Sequence, residues 1–228
     1  MTDMLVMVPS RERPANVARF ANAAAQTMAG VASVLFIFDE DDPLLDDNYT
    51  AVKQPGRWPY LVRVQPRMIT VPKLNSAARA YQSQFPVLMF TGDDTIPATE
   101  WWDTEIVKAI SAAGGSGMVY PNGLGRTDIP EHIAISSDIV KALGWFAYPG
   151  ISHYYTDNVW GDLGNGAGCL QFLENVVLEH LNPLYGKGPR DHVLRVAENK
   201  AEADHAAYLK WCAERRDADI RVVKSVIQ

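Results

Sequence analysis

The sequence predicts an α/β protein, a Rossmann-like α/β/α sandwich around a mainly parallel central sheet. Three observations predict it. Short apolar runs without alternation recur along the first half, as strands covered on both faces require. Stretches with helical apolar spacing separate them. The connections are short, which suits strand–helix–strand crossovers. A chain of 228 residues is expected to form one domain over 1–228.

Met4 to Val8 is the first strand, apolar throughout. Arg13-Pro14 opens a helix, with Pro14 near the first-turn position that tolerates it, and the alanine-rich run from Ala15 to Met28 stops at Gly30. Val31 to Phe38 is the second strand and runs into the acidic loop Asp39 to Asp42. Tyr60 to Val64 is the third, followed by a helix from about Lys73 to Gln84. Pro86 to Phe90 is the fourth and delivers Thr91-Gly92-Asp93-Asp94. A helix from about Thr99 to Ala113 closes on Gly114-Gly115, and Val119-Tyr120 re-enters the sheet.

The second half is less regular. His132 to Ser136 reads as a strand, Ser137 to Leu143 as a short helix, and Leu170 to His180 as a strand with helix as the alternative. Trp145 to Gly168 mixes aromatics, glycines and polar residues without periodicity, so an irregular binding loop is expected there. Lys200 to Arg216 is a C-terminal helix.

Composition narrows the class. Apolar residues make up 47% and charged residues 21%, the balance of a soluble globular domain. A net charge of -6 argues against a protein that works by neutralising nucleic-acid phosphates. Cys169 and Cys212 lack metal-ligand spacing and read as free thiols of a reducing compartment. Pro9-Ser10-Arg11 interrupts the first apolar run before it reaches the length of a secretion signal, and no run approaches a membrane span. The expected location is cytoplasmic.

In a parallel sheet, ligands bind beyond the carboxyl ends of the strands, so the polar clusters after Val8, Phe38 and Phe90 converge on one rim. Asp93-Asp94 is the sharpest signal. Neighbouring side chains of an extended backbone point to opposite faces, so the two carboxylates should do different jobs, one of them ligating a hard divalent cation. From the pair alone, a solvated loop that caps the next helix stays open. Pro9-Ser10-Arg11-Glu12-Arg13 sits where strand hands over to helix and offers backbone N–H groups and two guanidinium groups to a nucleotide; an ordinary capped loop is the alternative. Asp39 is placed to accept a hydrogen bond from a base or ribose, whereas the rest of Asp39 to Asp42 reads as a solvated turn. Lys73 offers a charge to a phosphate, or is simply solvated. In the irregular region Asp157 is the better general-base candidate, with Asp162 orienting a loop. His180 offers one imidazole to a metal or serves the core, and Lys187 and Arg190 flank glycines that let a loop close over a diphosphate.

Taken in order, these segments resemble family 2-type inverting glycosyltransferases. The matching pieces are Val6-Met7-Val8-Pro9-Ser10-Arg11, Phe36-Ile37-Phe38-Asp39, Lys73-Leu74-Asn75-Ser76-Ala77-Ala78, Val87 to Asp94, Asp157-Asn158 and His180. The resemblance implies the A-type glycosyltransferase fold. It divides the chain into a nucleotide-sugar-binding half at 1–120, an acceptor-side half at 121–190 and a C-terminal helical tail at 191–228. It implies a nucleoside diphosphate sugar donor, a UDP-sugar above others, held through Mn2+ or Mg2+. By the same resemblance Asp94 is the metal ligand, His180 a further metal or diphosphate contact, and Asp93 a ribose or sugar contact. Pro9, Ser10, Arg11 and Asp39 hold the nucleoside, Lys187 meets the phosphates, and Asp157 deprotonates the acceptor. From the residues themselves, Arg13 is a further nucleotide contact and Lys73 a phosphate contact, and the tryptophan- and tyrosine-rich second half suits a glycan, a modified DNA base or a protein hydroxyl as acceptor. Gly-Asp-Asp here replaces a strict Asp-x-Asp, with Gly92 in the first acidic position.

Two rival functions share the rim. A nucleotidyltransferase needs a glycine-rich first loop, which residues 9–13 lack. A non-catalytic nucleotide- or glycan-binding module would bind without turnover. A dinucleotide oxidoreductase is disfavoured because no Gly-x-Gly-x-x-Gly follows the first strand.

Overall fold

The computed structural model describes residues 3–227. In chain order its elements begin β1 (Met4–Pro9), α1 (Pro14–Thr27), β2 (Ala32–Asp39), α2 (Leu45–Lys53), β3 (Tyr60–Gln65) and α3 (Thr70–Tyr81). They continue with β4 (Val87–Phe90), β5 (Thr95–Pro97), α4 (Trp102–Ala112), β6 (Met118–Asn122), β7 (Ile133–Ser136) and α5 (Ser137–Leu143). The last are α6 (Thr156–Ala167), β8 (Leu170–His180), α7 (His192–Glu198), α8 (Ala201–Glu214) and α9 (Arg216–Lys224).

β1 is apolar throughout because both of its faces are covered. Leu5 and Met7 join Leu35, Ile37, Val71 and Leu74 on the α3 side. Met4, Val6 and Val8 join Val34, Phe36, Phe20 and Trp102 on the side of α1 and α4. One strand thus feeds two cores by simple alternation. The strands form one eight-stranded sheet in the order β3-β2-β1-β4-β7-β6-β8-β5. β1 to β4 pair in parallel, as does β6 with β8, while β7 and β5 run antiparallel to their neighbours. The predicted α/β sandwich with a mainly parallel sheet is therefore the observed architecture. No helix among the described residues is long and apolar enough to cross a membrane.

Three expectations need correction. Residues 156–167, expected to be irregular, form helix α6. Gly161, Gly164 and Gly166 lower its intrinsic propensity, yet they sit where neighbours touch its backbone: a Cβ on Gly164 would lie 2.7 Å from Leu170 Cβ. Val159, Trp160 and Leu163 bury the same helix, so packing overrides propensity. Second, the acidic run is not merely solvated, because Asp42 is buried. Its carboxylate accepts from Leu44 N at 2.8 Å and Glu12 N at 3.0 Å, fixing the start of α2, a helix the sequence pattern did not reveal. Third, a single helix expected over 200–216 is part of the series α7, α8 and α9, whose Trp211 and Val223 enter the main core.

Candidate active site

The carboxyl ends of β1, β2 and β4 bring the predicted rim residues together. Ser10 and Arg13 leave β1 and meet Asp93 from β4. Ser10 Oγ donates to Asp93 Oδ2 at 2.5 Å, Arg13 donates to Asp93 Oδ1 at 3.1 Å, and Asn16 Nδ2 reaches the same oxygen at 3.5 Å. Asp93 is 3% exposed, so the protein itself already satisfies this carboxylate. Burial pushes its pKa up, against the pull of Arg13. The other edge of the Arg13 guanidinium forks onto Asp191 at 2.6 and 2.7 Å, tying the rim to the N-cap of α7.

Asp39, at the end of β2, is equally engaged. Lys73 Nζ stands 2.8 Å from its Oδ1, Met68 N donates to that oxygen at 3.3 Å, and Arg11 lies 3.6 Å from Oδ2. Both Asp39 and Lys73 are buried. Arg11 also donates to Asp41 at 2.6 Å. Pro9 is half-buried at the end of β1. The structure therefore places Lys73 on a carboxylate. Lys187 lies on the loop after β8, with its ammonium 3.0 Å from Glu179 and 3.4 Å from Leu124 O, while Arg190 pairs with Glu198.

Asp94 behaves differently from Asp93, as their adjacent positions predict. Its Oδ1 lies 3.5 Å from His180 Nε2, delivered by the far end of β8. Leu181 N donates to Asp94 O at 2.8 Å and His180 N to Gly123 O at 2.9 Å, which lock the two loops in register. Burial works to raise the Asp94 carboxyl, but the imidazole beside it prevails and holds it down. Burial likewise works against the His180 cation, yet Asp94 and Glu131 lift its pKa to about 9. His132 packs edge-on against His180, with ring centroids 5.3 Å apart, and burial drives its pKa down to about 3. His132 Nδ1 shares a proton with Thr91 Oγ1 at 3.0 Å.

The donor set fits a hard cation. A separation of 3.5 Å is loose for a hydrogen bond but close to the about 3 Å between adjacent ligands of an octahedral ion with bonds near 2.1 Å. Glu131 Oε2, His132 Nε2 and His180 Nδ1 are buried without a hydrogen-bond partner, so the polar atoms here are under-satisfied. Among the described residues no cluster of three or more carboxylates, imidazoles or thiolates is arranged to hold a metal by itself. A cation here would need ligands from a bound phosphate, as Mg2+ and Mn2+ commonly do. A Cβ at Gly92, the first acidic position of an Asp-x-Asp, would collide with Asp94 Oδ1, which folds back over the glycine, so any side chain there must turn the Asp94 carboxylate.

Asp157 sits in the first turn of α6, half-buried, with Oδ1 accepting from Asn158 N at 3.0 Å. Burial pushes its pKa up, and Glu131 and Arg126 are its nearest charged influences. The preceding loop is pinned from α8: Asp204 accepts from the backbone N–H groups of Ser152, His153 and Tyr154 at 2.8–3.0 Å. His153, whose Nδ1 lies 2.8 Å from Thr70 Oγ1, also feels the charges of Asp94 and Arg13. Glu131, His132, His153 and Asp191 were not legible as site residues. Asp191 alone carried a local sign, as the N-cap of α7.

This sheet order and rim define the A-type glycosyltransferase fold. No family model and no curated protein matches the chain, but solved structures do. Glucosyl-3-phosphoglycerate synthase from Mycobacterium tuberculosis, solved with Mn2+, UDP and glucosyl-3-phosphoglycerate, superposes with a TM-score of 0.65 at 13% identity over 93% of this chain and 80% of that one. Mannosyltransferase PcManGT from Pyrobaculum calidifontis, in complex with GDP-Man and Mn2+, gives 0.62 at 12% identity over 98% and 73%. S. aureus TarS 1-349 in complex with UDP gives 0.61 at 12% identity over 77% of this chain, which spans 59% of that one.

Proposed function

We propose that the protein is a metal-dependent, inverting glycosyltransferase that moves a sugar from a nucleoside diphosphate donor, a UDP-sugar, to an acceptor hydroxyl. The observation that carries the reading is the convergence of Asp94 and His180 on one point at the sheet rim. The company of the fold supports it, since the similar structures hold UDP or GDP-Man with Mn2+ or Mg2+.

In this reading Asp94 and His180 would hold Mn2+ or Mg2+. The cation supplies charge stabilisation for the leaving group. Ser10, Arg11 and Asp39 line the nucleoside end, with Lys73 fixing the Asp39 carboxylate. Asp93 and Asp191 hold the Arg13 guanidinium between them, and in this reading it lends positive charge to the donor side of the rim. Lys187, now paired with Glu179, would exchange that carboxylate for a donor phosphate. The acceptor oxygen attacks the anomeric carbon as the carbon–phosphate oxygen bond breaks. Its proton passes to Asp157, and the bonding pair leaves with the diphosphate. Desolvation makes Asp157 a stronger base than a solvated aspartate. The C-terminal helices position this base by pinning residues 152–154 through Asp204.

The test combines thermal shift with turnover. UDP- and GDP-sugars are titrated with and without Mn2+, and donor hydrolysis or transfer is followed. Metal-dependent stabilisation by one nucleotide class is expected. Asp157→Asn is expected to keep that shift and lose ~10²–10⁴-fold in turnover. Equal turnover in the variant removes Asp157 from the mechanism, and no metal-dependent shift with any donor overturns the function.

A further inference from the structure

Glu131 stands behind the His180 imidazole, on the side away from the proposed cation site. It ends the loop before β7, and its Oε1 lies 3.5 Å from His180 Nδ1, the nitrogen opposite the one that faces Asp94. The same Oε1 accepts from the Tyr185 hydroxyl at 2.8 Å. Its carboxylate is nearly buried, and Oε2 has no partner at all. A buried, half-satisfied carboxylate is costly to keep and calls for a physical reason. The backbone also leaves room for it. A Cβ on Gly123 would stand 2.9 Å from Glu131 Oε2 and 3.4 Å from His132 Nε2.

We propose that Glu131 is the positioning residue of the cation site: it takes the Nδ1–H of His180, and so aims Nε2 at a divalent cation shared with Asp94. The inference rests on the metal-site reading above. A histidine ligand is rarely left to turn freely; a carboxylate on its second nitrogen fixes the tautomer and raises its basicity. The 3.5 Å separation is longer than a hydrogen bond, and a cation bound at Nε2 would make the Nδ1–H a stronger donor to Glu131. Tyr185 extends the chain of contacts. It lies in the 3₁₀ turn Pro183–Tyr185, at the start of the loop that carries Lys187. Its ring occupies the space beside Gly125, where any Cβ would strike it. Through Tyr185, Glu131 ties the phosphate-side loop to the histidine ligand.

Mn2+ binding in the presence of UDP, read from the electron paramagnetic resonance of free Mn2+, tests this without turnover. If the cation site is where we place it, Asp94→Asn abolishes binding, and His180→Ala weakens it while Asp94 and the UDP phosphates keep it measurable. Glu131→Gln is expected to weaken Mn2+ by ~10–100-fold. In the His180→Ala background the same substitution is expected to change nothing further, because Glu131 acts through that imidazole. Should Glu131→Gln fold poorly, Glu131→Asp retains the charge at shorter reach and is expected to lose affinity by a smaller factor. Wild-type affinity in the folded Glu131 variants, beside loss in Asp94→Asn and His180→Ala, overturns the role of Glu131 alone. An equal loss with and without His180 overturns it too. Unchanged Mn2+ binding in all variants overturns the cation site itself.

Discussion

Two halves of one rim handle charge in opposite ways. On the nucleoside side, Asp39 meets Lys73 and Arg11, and Asp93 meets Ser10 and Arg13; every carboxylate there is closed by protein contacts at 2.5–3.6 Å. On the cation side, Asp94, Glu131, His132 and His180 crowd together with three buried atoms unpartnered and ion-pair distances of 3.5 Å. The first half closes its carboxylates, and the unpartnered buried atoms near it, Gln65 Oε1 and Asn48 Oδ1, are neutral amide oxygens. The second is unfinished in the way a ligand site is, since a protein tolerates unsatisfied buried atoms mainly where something else completes them. The contrast teaches where to look for the ion: beside the loose carboxylate, not the well-bonded one.

The sharpest test of the contrast is stability. Asp39→Ala strands the Lys73 ammonium, which is only 4% exposed, with no counter-charge inside the sheet rim. Breaking a buried pair from one side costs about 3–5 kcal/mol, so the urea midpoint should fall sharply. Adding Lys73→Met should recover much of the loss, because the charge goes with its partner. Glu131→Gln should move the midpoint far less. If the two single variants are equally mild, the nucleoside side is not the closed network described here.

Acidification reaches the other half. His132 is held neutral by burial, with a pKa near 3 in place of the ordinary 6.5. Because the folded value is depressed, the folded state binds fewer protons than the unfolded chain in this range. Stability from this group is complete above about pH 6.5 and is lost as pH falls toward 3. At pH 5 the loss reaches about 2 kcal/mol. His153, also lowered by burial, acts in the same direction. Other groups titrate nearby, so the comparison is with His132→Gln in EDTA: the variant should lose less stability between pH 7 and pH 5 than the parent. Identical pH slopes would mean that His132 is not desolvated.

The same two halves differ in how far their residues announce themselves. β1, β2 and β4 are contiguous apolar runs that end in polar residues, and a parallel sheet sends such ends to one edge; Ser10, Arg13, Asp39, Asp93 and Asp94 could be placed from that rule alone. Glu131 and His132 carry no comparable sign. They precede β7, which runs antiparallel to β4, and antiparallel pairing with a long β6–β7 loop puts them at the rim for reasons only tertiary structure reveals. Helix α6 was obscured because its glycines serve close contacts with Leu170 and Ile220 that lie outside any local window. Helix α2 was obscured because its N-terminal anchor, Asp42, looked like one more charge in an acidic turn. The order of strands and the main carboxylates were thus written locally, whereas the residues that surround the His180 imidazole were written in long-range packing.

The smallest expected effect separates a conformational role from a chemical one at Gly92. A methyl group there cannot coexist with the present Asp94 rotamer, because it would overlap Oδ1. The carboxylate must turn away, and its nearest oxygen then leaves the 3.5 Å approach to His180. Gly92→Ala should therefore weaken Mn2+ binding by about tenfold, roughly 1.4 kcal/mol, while changing folding stability by less than about 1 kcal/mol. Gly92→Asp, which restores an acid in the first position of an Asp-x-Asp, should not rescue binding, since it carries the same Cβ into the same collision. Recovery of Mn2+ affinity in Gly92→Asp would show instead that the missing acid, and not the rotamer of Asp94, limits the hold on the cation.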